Sequence, residues 1–279
     1  MTSAPKVLTP LYYQRLYDIE QAHGWSRSMR ELAGVLLDPI ARTRRRWRIL
    51  DVGCGTGAML DWLQRFPGAE IVGLDVSSDA LGFCRTRGHR ALVEGSALDL
   101  PFPDGSFDLI ICTDVLQHLP NPPGDRAALR EAHRVLDDGG YIYVRTNSRF
   151  GIGSPTGAER ENYRRYGLSE LRASFEEAGF VVQRATYANC LPSLLALARD
   201  RLTGRLQQMR EHDLGLRLQL RPPALRWIDS LLAGILHFEA RYVKRPGRTL
   251  PFGHSLVALS QKPDRVRLSN RLDGVVGRV

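Results

Sequence analysis

The stretch ILDVGCGTGAML, residues 49–60, decides how the rest of the chain is read. An apolar run from Ile49 to Val52 leads into glycines at 53, 55 and 57, and then into a segment of helical character from Ala58. Glycine loses more conformational freedom on ordering than any other residue, so such a cluster marks a turn that bends tightly or that another molecule approaches closely. A buried strand, a glycine turn and a helix N-terminus form a nucleotide-type site at the end of a first strand. Gly53, Gly55 and Ala58 also satisfy G-x-G-x-x-G/A, a pattern too short to separate ligand classes by itself.

Outward from this turn, apolar runs alternate with helical patterns. EIVGLDV (70–76), ALVEG (91–95), FDLIICTD (107–114) and YIYVRTN (141–147) are predicted strands; Ala58–Phe66, a segment from Ser77 or Ser78 to about Arg87, and Asp125–Leu136 are predicted helices. Two helices, broken at Gly24, fill residues 10 to about 42. A helix near Leu168–Ala178 and a strand FVVQRATY (180–187) follow a Gly/Ser/Pro-rich loop at 151–157. The alternation predicts an α/β fold: a Rossmann-like, seven-stranded, mostly parallel sheet with helices on both faces. The rhythm then changes. Residues 190–250 read as two amphipathic helical stretches separated by Pro222-Pro223, one with Leu225, Ile228, Leu231, Leu232, Ile235 and Glu239 along a face. A last strand, HSLVALSQ (254–261), completes the sheet. The expected division is an N-terminal helical cap (1–47), a core (48–189), a helical insertion acting as lid or interface (190–250), the last core strand (251–262) and a tail (263–279).

The totals exclude several classes. With 279 residues and 43% apolar residues the chain can bury a sizeable core. It has no run of 18 uncharged apolar residues, and MTSAPKVLTPLYY lacks a basic region followed by an apolar core, so a cytoplasmic protein is expected. Cys54, Cys84, Cys112 and Cys190 are far apart in sequence with no CxxC pair, which points to buried thiols and no metal site. The net charge of +9 hints at nucleic acid, but 36 of the 39 basic residues are arginine, a bias of composition more than of phosphate binding. The densest run, Arg42–Arg48, is read as a solvated helix end, with a phosphate patch as the alternative.

The motif series resembles the class I S-adenosylmethionine (SAM) methyltransferases, in particular their small-molecule, quinone-biosynthesis branch. The resemblance is carried by LDVGCGTG (50–57), GLDVS (73–77), EGSALDLPFPDGSFDLI (94–110), DVLQHLPNP (114–122) and LREAHRVLDDGGYIYVRT (129–146), and spans about 48–188 plus the last strand. It implies SAM as cofactor, S-adenosylhomocysteine as product, and an enzyme that moves a methyl group by in-line displacement. It implies that Gly53, Cys54 and Gly55 let the backbone approach the methionyl part, that Asp51 beneath the turn helps hold the methionyl amine, and that Asp75, with Val76 after it, takes the ribose end. At the adenine, Gly95-Ser96-Ala97 departs from the GDA usual in relatives: Ser96 is shorter and neutral, Asp99 is a candidate substitute, and the N–H groups of Ala97 and Leu98 remain to read the ring edge. Asp114 is placed near the transferred methyl.

Because a sulfonium is an activated donor, the enzyme mainly has to align the acceptor, and a base is needed only if the acceptor must lose a proton. Candidates are His118 and Tyr163, then His23 and Tyr166, with Tyr166 expected to pack. Tyr12, Tyr13, Trp25 and Arg30 are candidates to roof the site. The leucines and arginines of 190–250 predict an apolar or amphiphilic small-molecule acceptor beneath a helical cap, with a peripheral membrane contact or a homodimer interface as other uses of that surface. Nucleic acid is not expected as a partner. RNA methylation, a methyltransferase-like binding module without turnover, and an NAD-type oxidoreductase are the rival functions.

Overall fold

The computed structural model describes residues 9–22, 24–120, 124–149, 164–194, 198 and 226–264. In chain order the elements are α1 Pro10–Ala22, α2 Gly24–Ala41, β1 Trp47–Val52, α3 Ala58–Leu63, β2 Ala69–Asp75, α4 Ser78–Thr86, β3 Leu92–Glu94, β4 Phe107–Thr113, α5 Gly124–Val135, β5 Leu136–Asn147, α6 Leu168–Glu177, β6 Val181–Ala188, α7 Arg226–Lys244 and β7 Ser255–Gln261. They form one seven-stranded sheet in the order β3-β2-β1-β4-β5-β7-β6, parallel except for β7, which runs antiparallel to both neighbours. The expected fold class is observed.

Strand alternation sorts the side chains into two layers. Leu50, Val52, Ile110, Cys112, Ile142 and Val144 pack under α5 and α6, while Trp47, Ile49, Leu109, Ile111 and Tyr143 pack under α2, α3 and α7. Because both faces are covered, the strands are apolar at nearly every position, as parallel sheets require. Trp47 is fully buried, and its indole N–H donates to the Ala41 carbonyl at 3.1 Å, which ties the end of α2 to the start of β1. Each large apolar side chain removed from water this way contributes about 1.5–3 kcal/mol. Ser77 caps α4 by accepting from the Ala80 amide at 3.4 Å.

Two readings of the sequence change. β5 begins at Leu136, not at Tyr141: the segment enters the sheet through a register shift opposite Phe107 and Leu109, with Gly139 at φ 75° donating to the Lys262 carbonyl at 3.1 Å. A glycine pair that reads as a helix stop is therefore also the bulged start of a strand. On α7, the buried positions are Leu236, Glu239, Ala240 and Val243, packed toward α2 and the sheet, while Leu231 is 56% and Phe238 66% exposed. Of the stripe expected on this helix, Glu239 is buried and Leu232 and Ile235 are half-buried, while Leu231 faces solvent. The buried Glu239 carboxylate accepts the amides of Cys190 (3.2 Å) and Leu191 (2.7 Å). Leu225, the Ile228 side chain, Pro222-Pro223 and the 151–157 loop lie outside the described residues.

In the arginine run at 42–48, Arg42, Arg45 and Arg46 are exposed past the end of α2, as expected of a solvated helix end, while Arg44 and Arg48 turn to an acid of the sheet. Arg48 (3.1 Å) and Arg44 ion-pair with Asp108 at the start of β4, and Arg46 with Glu70 at 3.0 Å. None of the described helices is long and apolar enough to cross a membrane.

A candidate cofactor site at the strand ends

The order of strands reverses between β1 and β4, and the glycine turn lies at the carboxyl end of β1 beside that switch point, where open α/β sheets place their ligands. The turn is held from below. The amides of Gly53 and Cys54 both donate to the Leu74 carbonyl, at 2.7 and 3.0 Å, and the Gly55 amide donates to the Asp75 carboxylate at 2.9 Å. Gly53 has φ 69°, and a Cβ there would fall 2.2 Å from the Val115 Cγ2, so no other residue fits. Asp75 also accepts the Ser77 amide at 3.0 Å. Its carboxylate thereby braces both the glycine turn and the start of α4.

Asp51 is the most unusual group in the molecule. It lies one residue before the end of β1 and is fully buried, and among the described residues neither carboxylate oxygen has a hydrogen-bond partner. Burial pushes its proton affinity well up, and the charges of Asp75 and Glu20 push in the same direction; only Arg145 opposes them. Burial likewise raises Asp75 and Glu20. An unpartnered buried carboxylate costs several kcal/mol unless a cation or donor meets it. The donor set therefore fits a ligand that brings positive charge to the floor of the glycine turn, as the α-ammonium of SAM does. Val76, directly after Asp75, leaves 53% of its apolar side chain exposed beside the site, a surface suited to an aromatic ring face.

Helix α1 covers the turn through residues that the sequence pattern did not single out. The Thr56 hydroxyl donates to Glu20, and Arg87 bridges the two elements: its Nε donates to the Thr56 carbonyl at 2.7 Å, its Nη2 to Glu20 at 3.5 Å and its Nη1 to Asp61 at 2.9 Å. The same guanidinium lies 4.6 Å from the ring centre of Tyr17. Glu20, Thr56, Arg87 and Arg145 had no signal in the sequence beyond being polar residues near helix ends or inside a motif. Of the expected roof residues, Tyr13 is buried beside Asp75 and Ser77, Trp25 lies 5.3 Å from the Arg145 guanidinium, and Arg30 stands near Glu20 and Arg145; Tyr12 is half-buried on the same helix.

At the end of β4, Asp114 adopts φ 60° and forms an ion pair with Arg145 on β5, through both Nε (3.3 Å) and Nη2. His118 sits in a short 3-10 turn, Leu116–His118, and is half-buried; burial lowers its pKa, with Asp114 opposing. The Tyr166 ring packs in the core, and its hydroxyl donates to the Leu116 carbonyl at 3.2 Å. His23 and Tyr163 lie outside the described residues.

The Ser96–Asp99 loop, expected at the adenine, is closed on itself. Ser96 Oγ accepts the Leu98 amide at 3.2 Å, so that N–H, expected to read the ring edge, is engaged within the loop; the Ala97 side chain is buried in the core, and Asp99 pairs back to Ser96 through the backbone. Cys54 faces away from the site, with its sulfur 3.8 Å from that of Cys84. Among the described residues no cluster of His, Cys, Asp and Glu could hold a metal ion.

Residues 50–144 match the methyltransferase-domain family. A fatty-acid O-methyltransferase of Mycolicibacterium smegmatis is 42% identical over 110 residues, 38% of this chain and 39% of that protein. A ubiquinone biosynthesis O-methyltransferase of Xanthomonas oryzae pv. oryzae is 32% identical over 108 residues, 37% of this chain and 44% of that protein. The methyltransferase solved in complex with the Haloferax volcanii Trm112 activator superposes with a TM-score of 0.60 at 19% identity, covering 93% of this chain and 98% of that one, a likeness of fold. The matches span 39% to 64% of the length of the first curated relatives. Motif series, strand order, glycine turn and matched domain agree that residues 50–144 carry a methyltransferase domain of the class I SAM-dependent kind.

Proposed function

We propose that the protein transfers the methyl group of SAM to a small, apolar or amphiphilic acceptor. The observation that carries this reading is the fully buried, unpartnered Asp51 carboxylate beneath the glycine turn. In this account Asp51 holds the methionyl amine, the backbone of Gly53 to Gly55 allows the methionyl chain to pass, Asp75 accepts from the ribose hydroxyls with its remaining lone pairs, and Val76 and the Ser96–Leu98 loop border the adenine. When bound, SAM supplies an activated methyl on a sulfonium sulfur. The chain's own task is to orient the acceptor and to exclude water, which α1 does by closing on Thr56 and Arg87.

The acceptor class is supported by two observations. At the end of β4 Asp114 is committed to Arg145, and burial lowers the His118 pKa and so weakens it as a base, which leaves the site better provided for binding than for proton abstraction. The two relatives named above carry fatty-acid and ubiquinone-biosynthesis activities in their names. Incubation of the full chain with methyl-labelled SAM and an organic-phase cell extract tests the reading. Label is expected in an extractable product; label that stays on SAM in the presence of protein shown to bind SAM contradicts methyl transfer to such an acceptor.

A further inference from the structure

We infer that Arg30 on α2 and Arg145 on β5 form a subsite for the carboxylate of an anionic acceptor, so that the methyl is delivered to a carboxylate oxygen. This rests on the methyl-transfer reading and narrows its substrate class.

Strand parity places Tyr143 and Arg145 on the same face of β5 as Asp51 on β1, the face that α2 covers. Arg145 uses Nε and Nη2 on Asp114, and among the described residues its Nη1 makes no hydrogen bond. The indole of Trp25 covers the same guanidinium at 5.3 Å. Arg30, five residues further along α2, is half-buried, and among the described residues no carboxylate lies within ion-pair distance of it; Glu20, its nearest opposite charge, is already bonded to Thr56 and Arg87. The Tyr143 hydroxyl is fully buried without a partner and feels the charges of both Arg145 and Asp114. With Asp51 taken up by the methionyl amine in the proposed complex, the Arg30 guanidinium, the Arg145 Nη1 and the Tyr143 hydroxyl beside Arg145 are donors left without acceptor oxygens among the described residues. Buried like charges repel and pull down each other's proton affinity, as Arg145 does for Arg30. An entering carboxylate supplies one negative charge and two acceptor oxygens, and a planar guanidinium fits that group bidentately.

The chemistry agrees with the surroundings. A carboxylate is ionised at neutral pH. Its oxygen lone pair forms the new O–CH3 bond as the S–CH3 bond breaks, the electron pair of that bond remains on sulfur, and the products are a methyl ester and a thioether. No proton is released, so a weakened base at His118 and a paired Asp114 are no handicap.

The test is calorimetric binding of octanoate, octan-1-ol and octylamine to the full chain, with SAM titrated into every variant as a separate readout. Wild type is expected to bind octanoate about tenfold or more tighter than octan-1-ol. Arg30→Gln is expected to erase that preference while octan-1-ol binding stays the same, and Arg30→Lys to restore part of it. Equal affinity of wild type for the acid and the alcohol, or an Arg30→Gln protein that keeps the preference, overturns the subsite. If SAM binds normally while the acid is not preferred, only this inference fails. If SAM does not bind at all, the methyl-transfer reading fails first, whatever octanoate does.

Discussion

The Gly55 amide donates to the Asp75 carboxylate at 2.9 Å, so the end of β2 holds the turn that follows β1. One side chain thus shapes the backbone approached by the methionyl part and, in the proposed complex, also meets the ribose. Asp75→Ala is expected to weaken SAM binding by 2–4 kcal/mol, roughly 30- to 1000-fold. Because it also frees the Gly55 and Ser77 amides, it should lower stability by about 1–3 kcal/mol while the fold persists. Calorimetry paired with denaturant unfolding checks both; near wild-type SAM affinity would refute the assignment.

Asp51 links stability to pH. Its folded-state proton affinity is raised, as are those of Asp75 and Glu20, so the folded chain holds more protons than the unfolded chain above the ordinary carboxylate range near pH 4. Stability contributed by such groups is present at low pH and is lost as pH rises toward their folded values. Asp51→Asn should therefore make the ligand-free protein more stable at neutral pH and flatten the decline of its Tm with rising pH relative to wild type. Parallel Tm-versus-pH curves for the two proteins would show that the Asp51 carboxylate is already satisfied.

The hydroxyl of Thr56 connects the glycine turn to Glu20 on α1. Thr56→Val removes that donor and leaves Glu20 with Arg87 alone, a loss of about 1–2 kcal/mol. Amide exchange across Pro10–Ala22 should quicken, and SAM should dissociate faster. Unchanged exchange in that helix would mean that α1 is held by packing and that the latch is incidental.

Much of the fold was legible because both sheet faces are covered, which leaves apolar runs such as LIIC and IVGL unambiguous, and because glycine turns punctuate them. The floor of the site was legible for the same reason: Asp51 and Asp75 are acids at the ends of apolar strands. What was not legible depends on contacts between distant segments. Glu20 and Arg87 are 67 positions apart and look like ordinary helix-surface charges until α1 folds over α4. Arg145 reads as one polar residue in a strand, and nothing local shows that it pairs with Asp114 or that Trp25 covers it. What Glu239 does on the buried face of α7, accepting amides of a helical turn almost fifty residues earlier, is likewise invisible to periodicity.

In the proposed complex Ser96 lies on the loop that borders the adenine. Its hydroxyl accepts the Leu98 amide at 3.2 Å, a bond that one oxygen of an aspartate can also accept, leaving the other to face the adenine amino group. Ser96→Asp should bind SAM as tightly as wild type or up to about tenfold tighter. A marked loss of affinity in a folded variant would show that the loop meets the adenine by another route.

The central claim is that the orphaned Asp51 carboxylate receives the methionyl amine, and the most direct measurement compares ligands with and without that amine. SAM and 5′-methylthioadenosine, which lacks the amino-acid portion, would be titrated calorimetrically into wild type and Asp51→Asn. The account predicts saturable binding of SAM to wild type, a loss of about 10- to 150-fold in Asp51→Asn, and 5′-methylthioadenosine affinity that is the same for both proteins. Absence of SAM binding to wild type, or equal SAM affinity in the two proteins, would contradict it.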